Sequence, residues 1–204
     1  MITIGLTGGI GMGKTTTAAL FEGEGIPVWD ADKAVHRLYS PRGFGVAPIL
    51  ERFPGVGGPL GGINRALLAE AVLGKPAELK ALEEIVHPLV AADQRGFLEA
   101  QERAGAEIVL LDIPLLLENN PDRSEGIVVV CSAPEDVRKA RVLARPGMTE
   151  EKYAAILSAQ MPEEEKLKLA DYIVPTGEGF EVAREKVREI LADIRAKALD
   201  AGGK

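Results

Sequence analysis

A single cysteine in 204 residues excludes an internal disulfide framework and a multi-cysteine zinc site. Two histidines leave few ligands for a soft-metal centre. No apolar run reaches the roughly 18 residues of a membrane span, and the N-terminal MITIGLTGGIG lacks the basic stretch that opens a signal peptide. A cytoplasmic protein without membrane contact is therefore expected. Basic residues are in deficit, 24 Lys and Arg against 31 Asp and Glu, for a net charge of −7. That argues against a duplex nucleic-acid partner and against a polybasic membrane binder. It leaves room for a small anionic ligand, because a few local donors can hold a phosphate on an acidic protein. What is present is ordinary for a globular chain: 46% hydrophobic and 27% charged residues, enough to rule out a wholly disordered protein. The length lies between one domain and two. No internal repeat occurs, and the acidic surface is compatible with a monomer, dimer or trimer.

Short apolar runs punctuated by Gly, Asp or Pro predict buried strands at Ile2–Thr7, Ile26–Trp29, Ile108–Leu111, Ile127–Cys131 and Tyr172–Val174. Helical patterns lie between them, clearest over Val182–Leu199, and the last four residues, AGGK, are expected to fray. Alternating strands and helices imply an α/β fold with a parallel sheet covered on both faces. The long stretch between the second and third strands exceeds what one crossover needs and reads as a helical insertion, with a flexible glycine-rich loop at GVGGPLGG. A second long excursion, 134–171, follows the fourth strand. Pro88 interrupts the helical stretch 77–103, where a kink or a new helix start is expected.

The first strand runs into Gly8-Gly9-Ile10-Gly11-Met12-Gly13-Lys14-Thr15 and then a helical pattern. This is G-x-x-x-x-G-K-[ST] in the strand–loop–helix context that a phosphate-binding loop requires. Its glycines let successive N–H groups turn inward, and the helix N-terminus adds positive partial charge. Residues Gly11, Met12, Gly13, Lys14, Thr15 and Thr16 are the expected ATP cradle. Lys14 would reach the β- and γ-phosphates, and the Thr15 hydroxyl would ligate Mg²⁺.

Phosphoryl transfer to an alcohol needs a group that orients the hydroxyl and takes its proton. The second strand ends in Trp29-Asp30-Ala31-Asp32. Read as a parallel strand next to the P-loop strand, it would put its end carboxylates at the ligand edge of the sheet. If the chain is still extended there, Asp30 and Asp32 share a side-chain direction. Asp32 is the candidate base; helix capping is the alternative for either residue. Asp112, at the end of the third strand, would hold Mg²⁺ through water or orient Thr15, with strand-end capping as the alternative. Glu118 divides between function and capping. Arg138, Arg141 and Arg145 form one stripe if residues 135–145 are helical. Arg138 reads as a solvated ion-pair residue, whereas for Arg141 and Arg145 a γ-phosphoryl clamp and a solvated ion-pair face are equally open on spacing alone. Cys131 reads as core, Trp29 as core or a wall of the acceptor pocket, and His36 as helix surface.

LTGGIGMGKTT followed by GIPVWDAD resembles the dephospho-coenzyme A kinase family. Further segments extend the likeness along the chain: Ile63-Asn64-Arg65 with Leu68, LEEIVHPLV over 82–90, LDIPLLLE over 111–118, ARVLARPG over 140–147, Gln160, and Ala170-Asp171. The resemblance implies a three-layer P-loop kinase fold with a five-stranded parallel sheet. Residues 1–32, 106–133 and 172–204 would form the nucleotide core, 33–105 a helical acceptor-binding domain, and 134–171 a helix and lid region. It implies ATP and dephospho-coenzyme A as substrates, with Mg²⁺ as cofactor, and phosphorylation of the ribose 3′-hydroxyl, the final step of coenzyme A synthesis. The family's catalytic aspartate falls on Asp32, and the likeness favours Arg145 as a catalytic lid arginine beside Lys14. Arg65, His87 and Arg95 become acceptor-binding candidates, with ordinary surface or structural roles as the alternative. Two departures stand out: Met12 replaces a usual serine, and Pro175-Thr176-Gly177 replaces a usual Asn-Gly. A nucleoside-monophosphate-type kinase and a GTPase-like switch are the competing readings; the latter would need an N-K-x-D segment, and none occurs.

Overall fold

The computed structural model describes residues 1–119 and 126–202. In chain order the elements are β1 (Ile2–Thr7), α1 (Lys14–Gly23), β2 (Val28–Asp30), α2 (Ala31–Tyr39), α3 (Val46–Arg52), α4 (Arg65–Val72) and α5 (Pro76–Arg103). There follow β3 (Ile108–Asp112), α6 (Leu116–Asn119), β4 (Ile127–Ser132), α7 (Glu135–Leu143), α8 (Glu150–Ser158), α9 (Glu163–Leu169), β5 (Tyr172–Pro175) and α10 (Phe180–Gly202). The chain divides into two compact units, 1–28 with 105–204, and 29–104.

The strands make one parallel sheet in the order β2-β3-β1-β4-β5. β3 pairs with β1 in a register that sets Leu6 opposite Asp112. Alternate residues of β4 serve opposite faces. Val129 and Cys131 join Ile4, Leu6, Leu110 and the apolar side of α1 and α10, whereas Val128 and Val130 pack with Leu116 and Leu117 of α6. Both faces are thus covered, as a parallel sheet demands.

β2 is not next to β1: β3 lies between them. Local sequence sets the direction of a parallel strand, but the crossover decides which place in the sheet it takes. Of the AGGK tail, Ala201 and Gly202 close α10, and the last two residues lie outside the described residues. No helix among the described residues is long and apolar enough to cross a membrane.

In the second unit, Ile49, Phe53, Val56, Ile63, Leu68, Leu82 and Val86 form a separate core beneath α2–α5. Asn64 caps α4 by accepting from the N–H groups of Ala66 and Leu67. The expected new helix start at Pro88 does not occur, because α5 runs unbroken from Pro76 to Arg103. Proline removes one helix donor. Leu82, Ile85, Val86 and Val90, on both sides of it, pack in the same core and hold the helix together. The GVGGPLGG segment closes on itself through a Gly57–Ile63 bridge and a Gly58 N–H to Gly62 O bond of 2.7 Å.

Candidate active site

The glycine loop is shaped by positions that admit no side chain. Gly11 (φ 78°) leans against α7, where an added Cβ would lie 2.6 Å from Val142 Cγ2 and 2.9 Å from Arg138 O. Gly13 (φ 82°) caps α1 in the left-handed region, where a Cβ would meet Thr176 at 3.0 Å. Lys14 opens α1, and its ammonium group pairs with Asp112 Oδ1 at 2.5 Å. The Lys14 side chain is 16% exposed and that of Asp112 4%, so the pair is largely shielded from water. Strand pairing brings them together: β3 ends beside β1, and the loop returns over that end.

On the other side of the loop, Arg141 donates to Thr176 O at 2.6 Å, to Thr176 Oγ1 at 3.1 Å and to Gly11 O at 3.4 Å. Thr176 Oγ1 in turn donates to Met12 O at 2.8 Å. Met12 is buried in the sheet core, and Thr15 and Thr16 are exposed at the start of α1. Arg145 lies outside α7, which ends at Leu143, so the expected three-arginine stripe does not form. The Arg145 N–H bonds back to Val142 O in a turn, followed by Pro146-Gly147. A proline and a glycine after the helix end favour this turn over another helical residue.

Arg138 is not solvated either. Its side chain is only 12% exposed, donates to the Tyr153 hydroxyl at 2.9 Å, and pairs with Glu163 at 3.5 Å. Glu163 also accepts from Ser132 Oγ at 2.6 Å, which ties α7, α8 and α9 to the end of β4. Burial pushes the Cys131 thiol up to about 12, against a lowering hydrogen bond from Thr17, so it remains a protonated core residue.

Asp30 and Asp32 part company. Helix α2 begins at Ala31, one residue after the strand, so the extended geometry that would align the two side chains is absent. Asp30 is the N-cap, accepting from Lys33 N–H at 2.9 Å. Asp32 stands exposed in the first helical turn, with no side-chain partner among the described residues. Trp29 is buried, and its indole N–H donates to Asp93 of α5 at 2.8 Å. Arg37 of α2 donates to the same carboxylate at 2.6 Å. Burial raises the Asp93 carboxyl, but the bonds from Arg37 and Trp29 outweigh it and hold the group below the usual carboxylate range. Its stabilising effect is therefore complete above the unfolded-state value and lost as pH falls through the lower folded one. Asp93→Asn is expected to lower urea resistance at pH 7, with the difference from wild type shrinking as pH falls through the carboxyl's lowered folded value; urea melts across an acid pH series check this.

Arg65 starts α4 and lines a cavity of about 360 Å³ with His36, Tyr39 and Asn64. Burial raises the Tyr39 hydroxyl, and the charge of Arg65 offsets part of that rise. His87 and Arg95 are exposed on α5.

The dephospho-CoA kinase family model matches residues 2–180. The chain belongs to the dephospho-CoA kinase family. A dephospho-CoA kinase of Mesorhizobium japonicum is 53% identical over 199 residues, covering 97% of this chain and 98% of that one. One from Rhizobium meliloti is 50% identical, covering 96% and 100%. The crystal structure of TT1252 from Thermus thermophilus superposes with a TM-score of 0.79 at 37% identity, covering 94% and 97%. Dephospho-CoA kinase from Campylobacter jejuni shares the fold, with a TM-score of 0.67 at 23% identity over 94% and 96% of the two chains.

Within this chain the two departures from the family pattern meet each other, since Thr176 grips the Met12 carbonyl. Sequence reasoning passed over one buried charge entirely. Lys166, in the EEEKLKL run of α9, is 2% exposed, and its ammonium lies 2.6 Å from Glu118 Oε1. Glu118 also accepts from Met161 N–H at 3.2 Å, so it joins α6 to the turn before α9 and does not cap a helix. Neither Lys166 Nζ nor Glu118 Oε2 has a well-directed hydrogen bond among the described residues, so the contact of Nζ with Oε1 is held chiefly by charge. A solvated lysine run and this one look alike in sequence; burial alone tells them apart. Lys166→Met is expected to destabilise the fold by roughly 3–5 kcal/mol, because Glu118 loses its counter-charge. The double variant Lys166→Met/Glu118→Leu should recover most of that loss in denaturant titration.

Proposed function

We propose that this chain transfers the terminal phosphoryl group of ATP to the 3′-hydroxyl of dephospho-coenzyme A, the last step of coenzyme A synthesis, with residues 11–16 holding the donor and Asp32 serving the acceptor. The observation that carries the site reading is the shielded Lys14–Asp112 pair under a glycine loop, in a chain that matches its family along nearly its whole length. Residues 33–105 bind the acceptor, and 134–171 provide a helix and a lid.

The N–H groups of the loop and of the α1 N-terminus bind the phosphate tail. Lys14 exchanges its Asp112 partner for phosphate oxygens, which offer more negative charge. Arg141, already fixed by Thr176 beside the loop, steadies the nucleotide, and Arg145 neutralises charge on the transferred group. Asp32 orients the 3′-hydroxyl and takes its proton as the oxygen–phosphorus bond forms. The β,γ-bridge bond breaks, and its electron pair leaves with ADP. Arg65, His87 and Arg95 contact the acceptor. Positioning and electrostatics supply most of the acceleration.

Magnesium fits the donor set. Asp112 offers a hard carboxylate oxygen and Thr15 a hydroxyl, at the end of β3 and the start of α1. No group of three or more His, Cys, Asp or Glu side chains that could hold a metal ion occurs among the described residues, so phosphate oxygens and water would complete the shell. When bound, the ion offsets negative charge on the phosphates. A coupled ADP-release assay tests the reaction. ADP formation that depends on both dephospho-coenzyme A and Mg²⁺-ATP, with a 3′-phosphorylated product, is expected; equal turnover with nucleoside monophosphates would overturn the acceptor assignment.

A further inference from the structure

Gln160 lies in the turn between α8 and α9, where its own N–H bonds to Leu157 O at 3.1 Å. Its side chain reaches the glycine loop 150 residues away: Oε1 accepts from Ile10 N–H at 3.0 Å. The approach is close enough that a Cβ added at Gly9 would stand 3.1 Å from the same oxygen. A phosphate-binding loop works by presenting N–H donors. Here one of them, that of Ile10, is occupied by a side chain carried on another segment.

A carboxamide has an acceptor end and a donor end. The bond to Ile10 decides which way round it lies. The two N–H donors of Nε2 are left beside the loop without a protein partner among the described residues. The same side chain lines a cavity of about 740 Å³ with Gly9, Met12, Arg138 and Lys166, a space of ligand size. The turn is anchored from behind, because Met161 N–H bonds to Glu118 and Glu163 bonds to Ser132. Gln160 is therefore presented by a fixed support rather than by a free loop.

Position along the loop selects the ligand. The α1 N-terminus, at Lys14–Thr16, faces the inner phosphates, and Ile10 sits four residues earlier on the β1 side. We propose that Gln160 is a ligand of the terminal phosphoryl group of bound ATP, with Oε1 kept on Ile10 N–H and Nε2 donating to a γ-oxygen. The net effect exchanges one main-chain donor for two side-chain donors carried on the α8–α9 turn. The inference rests on the reading of the glycine loop as a phosphate-binding loop with residues 11–16 as the ATP cradle.

Calorimetric titration of the full-length protein with Mg²⁺-ATP and with Mg²⁺-ADP tests it. Gln160→Met keeps the length and volume of the side chain but removes both ends of the amide. ATP affinity is expected to fall about tenfold, the size of a hydrogen bond to a charged group, with ADP affinity held within about twofold. Equal weakening of both nucleotides, or an unchanged ATP-to-ADP ratio, overturns the role of Gln160. Gln160→Glu retains an oxygen for Ile10 and puts a carboxylate oxygen where the donors were. Its ratio should fall below that of Gln160→Met, and a wild-type ratio in this variant also overturns the role. A wild-type protein that binds neither nucleotide overturns the cradle reading and this inference with it, whereas an unchanged ratio in a variant that binds both overturns Gln160 alone.

Discussion

Asp32→Asn is expected to lower kcat by about 10²–10⁴-fold, the range for removing a positioned general base. The substitution keeps the size of the side chain and one acceptor oxygen, so the hydroxyl can still be oriented after a fashion. What is lost is the ability to take the proton. The fold should not contribute to the loss. Asp32 is exposed, and the capping of α2 falls to Asp30, which the substitution leaves untouched. ATP affinity should stay near wild type, because the proposed cradle lies at residues 11–16 and Asp32 is no part of it. Steady-state kinetics in a coupled ADP-release assay, with ATP affinity measured by titration, separates these effects. An unchanged turnover number would remove Asp32 from the mechanism. A matching fall in ATP affinity would make it part of the donor site instead.

Lys14→Met should reduce kcat by about 10²–10³-fold, comparable with removing one preorganised donor to a developing charge. Two different causes could produce that number. Lys14 stabilises the phosphates directly, and it also balances the shielded carboxylate of Asp112. Losing that balance would repel the phosphate tail. The double variant Lys14→Met/Asp112→Asn distinguishes the causes, since it removes both charges together. If Lys14 acts on the phosphates, affinity for Mg²⁺-free ATP stays as low in the double variant as in the single one, a readout that the proposed magnesium role of Asp112 does not enter. Recovery of that affinity in the double variant would show that the damage came from Asp112, and Lys14 would lose its catalytic assignment.

Charge pairs in this protein fall into two groups with different legibility. Pairs made within one helix, such as Lys197 with Asp193 four residues before it, follow from helical spacing and are exposed. Such exposed pairs contribute little. The pairs that shape the candidate site join distant segments: Lys14 with Asp112, Lys166 with Glu118, Arg138 with Glu163. Arg138 shows how spacing alone misleads. Its neighbours in sequence offered acidic partners at the surface, yet it turns inward to Tyr153 and Glu163. Asp32 shows the reverse case. Its type and its place after a strand were readable, but the alignment with Asp30 was not, because a helix starts one residue earlier than an extended chain would allow.

Consecutive residues were enough to establish the glycine loop, the five strands, the helical insertion after the second strand and the carboxylate closing β3. In each case the cause is local: a backbone conformation that needs glycine, an apolar run of strand length, a polar residue where a strand stops. Packing alone settled that β3 separates β2 from β1, that Lys166 is buried, and that Gln160 meets Ile10. These depend on which surfaces close against one another after the elements have formed. A lysine among glutamates, or a glutamine ending a helix, has the same local pattern whether it faces water or a phosphate loop.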